Sequence, residues 1–307
     1  MAFTAQDVKS LREKTGCGMM DCKKALTEAN GDMDAAIDIL REQGLAKAAK
    51  KASRIAAEGI AYAVTNAEGT VGVVIEVNAE TDFVAKNADF QNFVKTLADT
   101  VIAENPADVD ALAQTKAVGT DVTVADLLQE KIQTIGENIK IRRFERFEGP
   151  SVAYVHAGGK IGVLVNFETD IDAANPDFVA YGKDVAMQIA ALNTQYLDEA
   201  DVPAEVIEHE IEIMVAQMKQ DPKMANKPEQ VLTKIVEGKV GKFYKENCLV
   251  DQEFVKDNSK TVGSYTAETA KKLGGSIKIS KFVRFEKGEG LEKRQDDFAA
   301  EVASMVK

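Results

Sequence analysis

The sequence predicts an α+β protein: a three-helix unit, then two copies of a small antiparallel-sheet-plus-helices subdomain, the second copy interrupted by a helical hairpin. Three observations carry this prediction. The first 55 residues show helix caps and apolar spacings of 3 and 4 but no strand pattern, a strand-to-helix segment occurs twice, and the second occurrence holds roughly 48 extra residues that read as two helices. The 307 residues, 45% of them apolar, are enough for two or three units with cores of their own.

Thr4-Ala5-Gln6-Asp7 has capping-box spacing, and Val8, Leu11 and Arg12 continue a short amphipathic helix that stops before Thr15-Gly16. A second helix runs from Met19 to about Ala29, where Asn30-Gly31 breaks it. Asp32 caps a third from Met33 through Leu40, with Ala36, Ile37 and Leu40 on one face, and the basic AKAAKKASR that follows can extend it as a tether. Residues 1–55 carry ten Lys/Arg against eight Asp/Glu, whereas the whole chain carries −12, so this unit is expected to be separate.

The repeat emerges when segments are slid against each other. GTVGVVI (Gly69 to Ile75) matches GKIGVLV (Gly159 to Val165) at an offset of 90. TVADLLQEKIQTIGENIKIRRFERFE (Thr123 to Glu148) matches TVGSYTAETAKKLGGSIKISKFVRFE (Thr261 to Glu286) without a gap at an offset of 138. Each copy reads as two strands, a helix, another helix and a closing strand, with the helices on one face of the sheet. Copy one is expected over 56–149, and copy two over 150–200 and 250–286.

Between the halves of copy two, 201–249 gives Ile207, Ile211, Met214 and Met218 at helical spacing, then Leu232, Ile235 or Val236, and Phe243. Pro222 and Pro228 separate the two series, so an antiparallel helical hairpin is expected. Its leftover apolar face calls for self-association or for packing back onto the domain. A last helix, Glu292 to Val306, forms a C-terminal module over 287–307.

Catalytic chemistry is hard to find. The two histidines, His156 and His209, exclude a His-rich metal site, and neither GxSxG, HExxH nor GxxxxGK[ST] is present. His209 sits among glutamates as a surface residue, and Cys17 and Cys22 read as a turn residue and a packed helical residue. Three cysteines without CxxC spacing argue for a reducing cytoplasm, and the negative charge argues against a non-specific grip on nucleic acid. No apolar run reaches the ~18 residues of a membrane span, nor does the start read as a signal peptide.

Four stretches, LREKTGCGMMDCKKALTEANGDMDAAI, NAETDFVAKN, IGENIKIRR and HAGGKIGVLV, resemble bacterial elongation factor Ts over essentially the full length. That family is the guanine-nucleotide exchange factor of elongation factor Tu. The resemblance implies that 1–55 is similar to the ubiquitin-associated three-helix fold, that the hairpin is a dimerisation element, and that the protein is cytoplasmic, acts without catalytic chemistry of its own and needs no cofactor or metal. Thr81-Asp82-Phe83-Val84 matches the family motif that enters the partner's GTPase domain and displaces its magnesium. Arg12, Met19, Met20, Lys23, Ile135, Gly136, Asn138, His156 and Lys160 match family contact positions.

Each of these residues also has a plainer reading. Phe83, read from the residues alone, is a core anchor, since single aromatics at helix starts usually pack inward. Asp82 is a helix N-terminal acid. Glu80-Thr81-Asp82 recurs as Glu168-Thr169-Asp170, but copy two continues without the Phe, which tilts Phe83 towards function. Adjacent Met19 and Met20 cannot share one core face, so one of them is expected at the surface. Ile135-Gly136 doubles as a helix end with a C-terminal glycine, Arg12 and Lys23 as solvated charges, and His156 as a strand-end polar residue. The rival readings are an adaptor or chaperone of ubiquitin-associated type and, further behind, a hydrolase using His156.

Overall fold

A computed structural model of the chain describes residues 3–220, 227 and 229–293. α1 (Ala5–Thr15) starts in the Thr4–Asp7 capping box and ends on Gly16 in the left-handed conformation. α2 (Met19–Glu28) is followed by Asn30 and Gly31, both at positive φ, and Asp32 then caps α3 (Met33–Lys51), which the basic stretch extends well beyond Leu40. Val8, Leu11, Cys22, Leu26, Ala36 and Leu40 form the core of these three helices.

Copy one runs β1 (Glu58–Thr65), β2 (Val71–Ala79), α4 (Asp82–Ala85), α5 (Ala88–Glu104), α6 (Val109–Gln114), α7 (Val124–Ile135) and β3 (Lys140–Glu148). Copy two runs β4 (Ser151–His156), β5 (Ile161–Thr169), α8 (Pro176–Leu192), α9 (Ala204–Gln220), α10 (Glu229–Asn247), β6 (Glu253–Phe254), β7 (Asp257–Thr261), α11 (Val262–Leu273) and β8 (Ile277–Glu286). The strands form antiparallel sheets ordered β1-β2-β3 and β4-β5-β8, with β6 and β7 as a small separate pair.

On one face of each sheet lies a helix of equal length. Phe90, Phe93 and Leu97 of α5 cover Val73, Ile75 and Val77, and Phe178, Tyr181 and Val185 of α8 cover Val163, Val165 and Phe167. The opposite faces, which the sequence left unassigned, pack on each other through Ala61, Ala63, Val74, Phe147, Leu164 and Phe285. Small residues permit the close approach: a Cβ on Gly72 would lie 2.4 Å from Leu164 Cδ1, and one on Gly162 would lie 3.1 Å from Val74 Cγ2. These contacts are reciprocal, because Gly162 and Leu164 are the 90-residue counterparts of Gly72 and Val74. The same symmetry sets Arg143 over the Phe285 ring at 4.1 Å and Lys281 over the Phe147 ring at 4.2 Å.

Strand register corrects one alignment made on sequence. Val77 pairs with Ile141 and Phe167 with Ile279, so the offset is still 90 at the end of β2, which makes Asp170 the counterpart of Glu80. The recurrence of Glu-Thr-Asp is therefore out of phase by two residues. The helix caps Asn87 and Asn175 then stand at an offset of 88, leaving six residues (81–86) between Glu80 and the cap in copy one and four (171–174) between Asp170 and the cap in copy two. That two-residue difference accommodates α4. It also enlarges the insertion: 17 residues separate Asn105 from Thr123 and 67 separate Asn193 from Thr261, 50 more rather than 48.

α9 and α10 pack against each other, while the Pro222 and Pro228 connection expected to join them lies outside the described residues, as does the expected C-terminal helix from residue 294 onward. No helix among the described residues is long and apolar enough to cross a membrane.

Candidate partner-binding site

α4 is a single turn, too short to be stable alone, so its surroundings must hold it. Val84 and Ala85 anchor it, both buried in the core under α5. Successive helical residues point about 100° apart, so burying Val84 turns Phe83 outward. The ring is 77% exposed, which overturns the core-anchor reading: Val84 and Ala85 fill the place that a buried Phe83 would have taken. Lys86 closes the turn with an ion pair to Asp82 at 2.7 Å and lies 5.6 Å from the Phe83 ring centre. The hydrogen bond from Lys86 holds the Asp82 carboxyl below its ordinary range.

The residue before this turn is tied across the molecule. Thr81 donates its backbone N–H (3.0 Å) and its hydroxyl (2.6 Å) to the two carboxylate oxygens of Glu137. In the other direction, Glu80 accepts the backbone N–H of Asn138 at 2.6 Å. Asn138 is 2% exposed, and its side-chain amide donates to the Arg54 carbonyl at 2.8 Å, so it serves the interior and does not present its side chain to a partner. Glu80 and Glu137 were missed in the sequence. The available signal was the difference between copies, where Glu137 stands opposite Gly275.

Ile135 is half-buried and Gly136 is exposed at φ 87° as the C-cap of α7, its expected structural role. A cleft of about 420 Å³ runs from Gly16 to Phe83 and Val84, with Glu130, Thr134 and Ile135 along its side. A Cβ on Gly16 would lie 2.9 Å from Thr134 Cγ2, so the α1–α2 turn abuts the end of α7. Met19 and Met20 open α2 beside this turn and are 53% and 63% exposed. Both are exposed, not one, because the buried stripe of α2, Cys22, Ala25 and Leu26, begins after them. Arg12 and Lys23 are exposed.

His156 and Lys160 flank the β4–β5 turn, where Ala157, Gly158 and Gly159 all have positive φ. The His156 ring bonds through Nδ1 to the Tyr154 hydroxyl at 2.9 Å, and Lys160 pairs with Glu286 at 3.6 Å. Gly159 accepts the Ala61 N–H at 2.8 Å, and a Cβ on it would meet Ile60 Cγ2 at 2.8 Å. Since β1 begins opposite the end of β2, the His156 turn, the α4 turn and the end of α7 share one end of the molecule. His209 is exposed on α9. The three cysteines are buried thiols, and no group of three or more His, Cys, Asp or Glu among the described residues could hold a metal ion.

The exposed Phe83 ring and the exposed Met19–Met20 pair belong to a chain whose similarities place it among the translation elongation factors. The chain belongs to the elongation factor Ts family. The family model described as "Elongation factor TS" matches residues 80–289. The elongation factor Ts of Syntrophotalea carbinolica is 49% identical over 100% of both chains, and that of Trichlorobacter lovleyi is 50% identical over 99% of this chain and 98% of its own. The elongation factor Ts of Nitratiruptor sp. is 48% identical over 100% of both chains.

Proposed function

We propose that this protein binds elongation factor Tu in its GDP form and speeds GDP release by inserting Thr81-Asp82-Phe83-Val84 beside the nucleotide, displacing magnesium so that GTP can reload. The observation that carries this is the Phe83 ring, 77% exposed on a turn whose neighbours Val84 and Ala85 are buried. An exposed aromatic on an anchored turn is ready to enter a partner with little further loss of conformational freedom. Magnesium and phosphate contacts are the strongest part of a guanine-nucleotide site, so a wedge that shifts their loops loosens it most.

Magnitudes argue for a broad surface around the wedge. Burying one Phe contributes about 1.5–3 kcal/mol, whereas release accelerated about ten-thousand-fold needs about 5.5 kcal/mol off the barrier. Met19, Met20, Arg12, Lys23, Ile135, Gly136, His156 and Lys160 would supply the remainder by docking. Linkage then requires bound nucleotide to weaken the protein's grip by the factor by which the protein weakens nucleotide. On this reading no catalytic chemistry is required.

The same reading assigns 1–55 as a ubiquitin-associated-like docking module, 56–149 and the two parts of copy two as the core, and 201–249 as a dimerisation hairpin. Exposed Ile213 and Val231 on the hairpin support the last assignment, which sedimentation with and without elongation factor Tu tests. The function itself is tested by mixing: labelled GDP bound to elongation factor Tu should leave quickly once the protein is added. GDP that stays bound would favour an adaptor.

A further inference from the structure

We infer that Glu137 is a positioning residue for nucleotide exchange, acting through Thr81 to aim Phe83; this rests on the wedge reading above. The two ends of the exchange surface are latched crosswise. Glu80, next to Thr81, accepts the N–H of Asn138 at 2.6 Å, while Glu137, next to Asn138, accepts the N–H and hydroxyl of Thr81 at 3.0 and 2.6 Å. Copy two shows which half is general to the fold. Asp170, the counterpart of Glu80, accepts the Ser276 N–H at 2.6 Å, as Glu80 does from Asn138. The other half is missing there, because Gly275 stands where Glu137 does and Ile171 where Thr81 does.

The half-latch made by Glu137 thus occurs only in the copy that carries the extra turn and its exposed aromatic. Thr81 is the N-cap residue of α4, yet its hydroxyl makes no cap hydrogen bond to that turn. It is given to Glu137 instead. A one-turn helix without its own side-chain cap takes its direction from whatever fixes the entering backbone, and here the Glu137 carboxylate grips both hydrogen-bond donors of the entering residue. Because Glu137 follows Gly136 directly, a partner that presses on the end of α7 also presses on the support of Phe83. Docking and wedge are thereby joined through one carboxylate.

The test uses the full chain and labelled GDP bound to elongation factor Tu, reading the maximal release rate and the half-saturating concentration separately. Glu137→Ala should lower the maximal rate by about tenfold and shift half-saturation by less than about threefold. Glu137→Gln should stay within about twofold, since its carbonyl can accept the Thr81 N–H while its amide donates to the hydroxyl. In a Phe83→Ala background, Glu137→Ala should slow release no further, which a merely structural role would not predict. Thr81→Val, which removes the hydroxyl at similar size, serves the same test should Glu137→Ala fold poorly. A wild-type rate in folded Glu137→Ala and Thr81→Val, or additive slowing in the Phe83→Ala background, overturns the positioning role and leaves the wedge standing. A wild-type rate in Phe83→Ala overturns both.

Discussion

The buried carboxylate of Glu76 accepts the backbone N–H of Gly288 at 2.7 Å, fastening the turn after β8 to the middle of β2. Glu76 is 0% exposed and also accepts from Asn78 (3.0 Å), Arg142 (3.0 Å) and Arg143 (2.7 Å). Gly288 is at φ 69° with the Ala57 carbonyl where a Cβ would go, so only glycine fits the approach. In copy two the counterpart of Glu76 is Asn166, at an equivalent register shift, where an uncharged amide bonds to the Glu148 and Pro150 carbonyls. The charge is therefore special to the place where the end of copy two meets copy one.

Glu76→Gln should destabilise the protein by about 3 kcal/mol, because Arg142 would keep its charge and lose its carboxylate partner, and Arg143 would retain only Glu289 at 3.4 Å. Denaturant unfolding at neutral pH reads this directly. Burial alone would raise the Glu76 carboxyl, but hydrogen bonds from Asn78, Gly288, Arg142 and Arg143 outweigh it and hold it below the ordinary 4.5. A lowered folded-state value stabilises above the unfolded-state value, and that stability is lost as pH falls from about 4.5 through the folded one. The gap between wild type and Glu76→Gln should accordingly narrow in acid; a constant gap would remove Glu76 from the acid response.

Gly162→Ala should cost about 1–3 kcal/mol, since the new methyl would sit 3.1 Å from both the Ala61 carbonyl carbon and Val74 Cγ2 where the sheets meet. An unchanged unfolding midpoint would mean that the sheets can separate slightly without loss.

Met19→Ala combined with Met20→Ala should weaken attachment to elongation factor Tu by about tenfold, the scale of burying one or two exposed apolar side chains. Both side chains lie outside the three-helix core, so the thermal midpoint should move by no more than about 2 °C. Equal attachment of mutant and wild type would take the methionines off the docking surface.

Cys17, Cys22 and Cys248 should resist thiol reagents at pH 8 in the native protein and react together on unfolding. Burial raises Cys22, and it pushes Cys248 up to about 11, leaving little thiolate. Rapid native labelling at Cys248 would show that the base of the hairpin opens.

Features set by local chemistry were legible in the sequence: the Thr4–Asp7 capping box, the Asn30-Gly31 break, and the paired C-caps Gly136 and Gly274. The gap-free match from Thr123 to Glu148 revealed two copies because both stretches run through a twelve-residue helix, a left-handed glycine cap and a closing strand with no insertion between them. Phase was lost between β2 and α5, where Glu-Thr-Asp recurs by coincidence and only strand pairing fixes which residues correspond. Exposure of Phe83 was not legible either, since it depends on Val84 and Ala85 filling a core formed by distant segments. Glu76 and Glu137 look like two more carboxylates in an acidic chain until residues far along the sequence are folded against them.

Action of the Phe83 ring on a neighbour's nucleotide site is read from the release of labelled GDP from elongation factor Tu. With saturating Phe83→Ala protein, release should be slower than with wild type by about ten- to a hundredfold, while attachment to GDP-bound elongation factor Tu changes by less than about fivefold. Release by folded Phe83→Ala at the wild-type rate would mean that the ring plays no part in loosening the nucleotide.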